Sequence, residues 1–233
     1  LRFSLGAEQR TIKTTSSSPA HITSFAPTGE RELTQLIGSL SYVHDTRDRV
    51  VFPTKGVRHG LILEAALPGS DAEYYKLKYS GSMYRPVSEN ITAVAKASLA
   101  YGDGFGDTNE LPFFENFYSG GIRTVRGFEH NSLGPLDSTG DAKGGNLSLN
   151  ATAELRFPVP FLEDVKGLKG SVFFDAGSVF EDDFDQDEIR YSAGVGLTWV
   201  SPIGPLSFSY AKPLNDKDGD KVQELQFSVG ANF

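Results

Sequence analysis

The stretch best suited to specific chemistry runs from Tyr118 to Pro135, Y-S-G-G-I-R-T-V-R-G-F-E-H-N-S-L-G-P. At its centre stand Val125, Arg126, Gly127 and Phe128, an arginine flanked by a glycine and two large apolar groups. An arginine framed this way suits a fixed, partly enclosed target. A planar guanidinium satisfies carboxylates through several directed donors, a geometry lysine cannot copy. Two later strand-like runs supply candidate partners, Glu154 and Asp175, each on the less apolar parity of its run. The chemistry offered is registration of a long loop, without bond making. On spacing alone a second reading stays open, in which Arg126 is a solvated loop cation and both acids line a polar surface.

The remaining constellations carry less. Asp216, Asp218 and Asp220 surround Gly219, but their spacing departs from the EF-hand loop and no Glu closes it. Asp182, Asp183, Asp185 and Asp187 form another acidic loop. Both read as solvated loops, with divalent-ion binding as an alternative. His21, His44, His59 and His130 lack metal-ligand spacing, and no G-x-S-x-G elbow is present. The expectation is a non-enzyme with no cofactor and no metal, against a protease or lipase as the competitor of a different class.

Arg126 and the acids must be positioned by strands, because period-two alternation recurs along the chain. From Asn146 to Arg156 one parity reads Asn146, Ser148, Asn150, Thr152, Glu154, Arg156, while the other is Leu147, Leu149, Ala151, Ala153, Leu155, with Phe157 following. The terminal run sets Leu225, Phe227, Val229, Ala231 and Phe233 against Glu224, Gln226, Ser228, Gly230 and Asn232. A similar split runs from Ile189 to Trp199. Runs of this length with one apolar and one polar face suit transmembrane barrel strands, which need about 9–11 residues to cross. A soluble β-fold is the alternative. The pattern predicts strands near 1–11, 35–46, 57–68, 73–86, 90–103, 146–158, 170–181, 188–201, 205–213 and 223–233. Aromatics at run ends (Tyr74, Tyr75, Tyr84, Tyr101, Tyr191, Trp199, Tyr210) suggest interfacial girdles. Connections alternate between short (201–205 and 87–90) and long (11–34, 104–145, 181–188, 214–222), with 158–170 a long exception.

Composition fits this picture. The chain has 233 residues, no cysteine and a net charge of −8, so disulfides and thiol chemistry are excluded and a general nucleic-acid surface is disfavoured. No run approaches the roughly 20 apolar residues of a spanning helix.

Several segments together resemble the C-terminal barrel region of the BamA/TamA superfamily of outer-membrane protein insertases. They are D-T-R-D-R-V-V-F-P-T-K-G (Asp45 to Gly56), P-G-S-D-A-E-Y-Y-K (Pro68 to Lys76), Y-G-D-G (Tyr101 to Gly104), L-P-F-F-E-N-F-Y-S-G-G-I-R-T-V-R-G-F (Leu111 to Phe128) and S-P-I-G-P-L-S-F-S-Y-A-K-P (Ser201 to Pro213). The resemblance continues into the terminal strand and covers essentially the whole chain.

It implies an all-β, antiparallel transmembrane β-barrel, with about ten of about sixteen strands in residues 1–233 and periplasmic POTRA domains upstream. A small barrel closed by these strands alone is the other possibility. Residues 104–145 would be the outer loop folded inward, with Arg126 at its tip facing Glu154 and Asp175. Leu225, Phe227, Val229 and Phe233 would form the terminal β-signal. The implied function is assembly of β-barrel proteins into the bacterial outer membrane through a lateral seam. Implied partners are unfolded barrel clients, accessory assembly lipoproteins, and outer-membrane lipid and lipopolysaccharide. A TamA-like translocase or a two-partner secretion transporter is the alternative.

Overall fold

Alternating apolar and polar residues leave each strand with one face for hydrocarbon and one for a wet interior, and the chain resolves that demand as a single long sheet. The computed structural model describes residues 1–27, 29–162, 165, 167–181, 183–201 and 204–230. Ten strands follow one another antiparallel: β1 (Arg2–Lys13), β2 (Glu30–Asp45), β3 (Gly56–Ala66), β4 (Tyr74–Pro86), β5 (Thr92–Gly104), β7 (Leu147–Phe157), β8 (Leu168–Phe180), β9 (Arg190–Ser201), β10 (Gly204–Pro213) and β12 (Leu225–Val229). Two-residue strands β6 (Gly127–Phe128) and β11 (Val222–Gln223) pair separately. A short helix, α1 (Ala20–Phe25), lies between β1 and β2.

Every strand of the main sheet pairs with its sequence neighbour, so the sheet is a meander with two edges, β1 and β12. Register carries the alternation across the whole sheet. Leu99 opposes Leu149, Ala95 opposes Ala153 and Leu155 opposes Val172, all on one face. That face is exposed: Leu99, Leu155, Val195, Phe227 and Val229 all keep between 44 and 56 % of their surface. An apolar band of this extent is untenable in water and natural in lipid. The opposite face holds Ser148, Asn150, Asp175, Ser192 and Gln226, all buried.

Three expectations need correction. Tyr74 and Tyr84 were assigned to the interfacial girdle, but both are buried on the inner face, because Tyr74 packs with Ala66 and Leu111 under the loop. Trp199 and Tyr210 do stand on the exposed face. The short-and-long rule is also looser than expected: the connection between β2 and β3 is as long as the one between β7 and β8 at the same end, while 67–73 at the other end is brief. The terminal run is not one continuous strand. Its first residues turn inward to pair with the loop as β11, and only Leu225–Val229 join the main sheet.

The outward assignment is testable by equilibrium unfolding in lipid vesicles. Leu99→Lys, mid-strand on the exposed face, should cost about 2–4 kcal/mol. The neighbouring inward Ser98→Gln should change stability by under about 1 kcal/mol.

Candidate functional site

The connection from β5 to β7 folds back over the inner face. Its ends are drawn together by a bridge between Phe117 and Gly145, and a second bridge joins Ser119 to Leu133. Between them the chain makes a tight tip, in which the Gly121 N–H donates to the Val125 carbonyl at 3.0 Å and the Thr124 N–H to the Gly121 carbonyl at 3.1 Å. Val125, Phe128 and Leu133 are fully buried and form a small apolar core of the loop's own.

Gly127 turns the chain out of the tip with φ of +92°. A Cβ there would stand 3.1 Å from the Ala211 carbonyl oxygen and 3.3 Å from the Pro213 ring, so any other residue would combine strain with crowding. The turn lets Gly127 and Phe128 pair with Gln223 and Val222. Gln226 Nε2 then donates to the Phe128 carbonyl at 2.6 Å, fastening the motif to the terminal strand.

Arg126 points into the sheet. Its Nε and Nη2 donate to the two oxygens of Asp175 at 2.7 and 2.8 Å, and its own backbone N–H adds a third bond at 3.2 Å. The Asp175 side chain is fully buried and Arg126 nearly so. The guanidinium also lies over the Phe173 ring, 3.2 Å from its centroid. Phe173 fits there because its register partner is Gly194, where a Cβ would approach that ring to 2.7 Å. Glu154 is nearby but is not an equal partner. It lies 3.7 Å from Arg126 Nη1, an ion pair without a hydrogen bond, while Arg156 Nε donates to it at 2.5 Å.

The sequence profile of the Omp85 superfamily domain matches residues 1–233. The chain belongs to the Omp85 superfamily. Among Omp85 relatives it is 35% identical to outer membrane protein assembly factor BamA of Neisseria meningitidis serogroup B, over all of this chain and 34% of that protein. The crystal structure of BamA from Haemophilus ducreyi lacking POTRA domains 1–3 superposes with a TM-score of 0.89 at 30% identity, covering 97% of this chain and 50% of that one. CdiB from Escherichia coli shares the fold, with a TM-score of 0.63 at 18% identity over 97% of this chain and 40% of that one. The chain therefore spans about a third of the curated relative and half of the solved BamA chain. It is an outer-membrane β-barrel sheet, and the long connection from β5 to β7 is its inward-folded outer loop.

In this Omp85 sheet a second ionic cluster, which the sequence reading missed, holds the start of the same loop. Glu115 takes Lys76 of β4 and, at 2.9 Å, Arg10 of β1, while Lys76 also reaches Glu64 of β3 at 2.6 Å. Phe113 and Phe114 pack edge-on against Phe25 of α1 at 5.4 and 5.8 Å. The signal was present in F-F-E-N-F, an acid among aromatics, but nothing in the sequence says which strands would meet it. Ser119 Oγ adds a 2.5 Å bond to Asn150 on β7.

The outer loops are woven together by charge. Asp220, one of the acids weighed as a calcium ligand, is held by Arg190 Nε at 2.5 Å, and Lys221 reaches Asp141 of the long loop at 2.7 Å. Glu188 is kept below the usual carboxylate range, first by the hydrogen bond from Lys217, which burial opposes, and then by the nearby Arg190 charge. Among the described residues no group of His, Asp and Glu forms a metal site. Leu225, Phe227 and Val229 of the terminal run point outward, whereas Phe233 and Asp182 lie outside the described residues.

Removing Arg126 strands a fully buried carboxylate, a change worth about 3–5 kcal/mol. Arg126→Ala should therefore raise hydrogen–deuterium exchange across 118–135, and Arg126→Lys should recover only part of the protection because it cannot chelate both Asp175 oxygens. Glu154→Gln should have the smaller effect, and equal effects of the Asp175 and Glu154 substitutions would contradict the unequal geometry.

Proposed function

We propose that this sheet is the C-terminal wall of an outer-membrane insertase, which assembles β-barrel proteins into the membrane through a lateral seam beside the terminal strand. The observation that carries the reading is the close match of this wall to that of BamA, 0.89 at 30% identity, against a fold-only likeness to CdiB. The arginine latch does not discriminate on its own, because the TamA-like and secretion-transporter branches share it.

Sheet energetics support the same reading. β12 is an edge of the sheet, and an edge strand offers unpaired N–H and C=O groups that lipid cannot satisfy. An incoming client strand satisfies them by backbone hydrogen bonding, as in β-augmentation. The outward apolar row of Leu225, Phe227 and Val229 matches the alternation such clients carry. No covalent step, nucleotide or metal is required. The partners of the whole protein are unfolded barrel clients, accessory lipoproteins bound through upstream domains, and the surrounding lipid and lipopolysaccharide. The Arg126–Asp175–Glu154 cluster serves as the anchor of the inward loop.

The test is reconstitution of the full-length protein in lipid vesicles with a urea-unfolded barrel client. Folding should run faster than in empty vesicles and slow when the free edge of β12 is cross-linked to the strand that closes the barrel beside it. No acceleration, combined with export of one dedicated soluble substrate, would favour the translocase reading instead.

A further inference from the structure

Beside the latch, on the inner face, a cavity of about 230 Å³ opens under the loop tip. Four cations from separate elements line it: Arg47 from the turn after β2, Arg58 from β3, Lys96 from β5 and Arg123 from the tip itself. The hydroxyls of Ser82 and Thr152 complete its wall.

The charge is not balanced within the described residues. Asp45 is bound by Arg47 at 2.7 Å and lies 3.9 Å from Arg58, and it is the one carboxylate paired with any of the four. Four positive charges less one leave a net of three. The neighbouring latch cannot supply the rest, because Arg126 and Arg156 already match Glu154 and Asp175. Among the described residues Lys96 and Arg123 make no hydrogen bond or close ion pair, and Lys96 meets Glu154 and Asp175 only at longer range, where Arg156 and Arg126 repel it. Such a concentration of cations is conspicuous in a chain of net charge −8. A recess lined by uncompensated cations focuses field and concentrates anions.

We infer that this cavity is a binding site for a small, multiply charged oxyanion of the phosphate class, held between the barrel wall and the loop tip. Guanidinium forks and hydroxyl donors together match phosphate oxygens, and the cavity is large enough to admit a mono- or diphosphate group. Arg123 lies in the same tip as Arg126, so an occupant would join that tip to β3 and β5 and stabilise the docked loop by mass action. The source is either free phosphate or a headgroup carried by lipid, and the site is independent of what the barrel assembles.

Inorganic pyrophosphate titrated by calorimetry into the full-length protein in phosphatidylcholine nanodiscs should give saturable, salt-sensitive binding. Lys96→Gln and Arg123→Gln, each separately, should weaken it roughly tenfold or more. Arg85→Gln, on the lipid face, should leave it unchanged. Repeating the titration in discs containing phosphatidic acid, whose phosphomonoester headgroup can carry two charges, separates the sources. Competition there assigns a lipid headgroup, and undiminished binding assigns a free anion, each supporting the site. Absence of saturable binding by the wild-type protein, or equal binding by the folded Arg123→Gln variant, overturns the inference; residue 123 sits exposed on the tip, so its change does not threaten folding.

Discussion

A carboxylate placed at the middle of a barrel strand and fully buried is a debt of several kcal/mol unless a cation meets it with directed hydrogen bonds. Asp175 is such a group, and no residue of its own strand answers it. The answer arrives from the long outer loop as Arg126, whose guanidinium and backbone N–H together give three bonds. Wall and loop therefore depend on one another. Undocking the loop exposes the cost of the buried acid, and losing the acid leaves a long, largely irregular segment with little to offset its conformational entropy. The surrounding residues follow from this constraint. Phe173 floors the guanidinium, Gly194 makes room for Phe173, and Gly127 bends the chain so that Phe128 reaches the terminal strand.

The loop is held at both ends, and the holds differ in where they transmit force. Glu115 ties its beginning to β1 and β4, and Lys76 of β4 links on to Glu64 of β3, at the side of the sheet far from the terminus. The motif ties its later part to β8 and, through Gln226 and β11, to the terminal strand. The consequence is that the start of the terminal strand leans on the loop for pairing. The loop thus links the arginine latch to the edge at which the seam is proposed.

Much of this was legible in the sequence because a barrel strand faces two opposite solvents. Alternation alone located Leu147–Phe157 and Arg190–Ser201 almost to the residue and placed Glu154 and Asp175 on the inner face. Fold class followed from the same signal. What failed did so for tertiary reasons. Tyr74 and Tyr84 looked like girdle residues because they sit at strand ends, but the inward loop gives Tyr74 an apolar partner in Leu111. Glu154 looked equivalent to Asp175, yet Arg156 two residues along its own strand engages it first. Glu115 was passed over because its partners come from two strands distant in sequence. The break at Glu224 was invisible because it depends on pairing with Gly127 and Phe128. Periodicity reports faces and says nothing of what a loop will lay upon them.

The central claim is that Arg126 and Asp175 hold the loop tip inside the barrel. This chain contains no cysteine, so spin labels introduced at Arg123→Cys on the tip and Ser88→Cys in the turn after β4 address the two sites cleanly on this sheet. Double electron–electron resonance on the full-length protein in membranes should give one narrow distance distribution. That distribution should broaden and shift to the same extent in Arg126→Ala and in Asp175→Ala. A narrow distance unchanged by both substitutions would contradict the account.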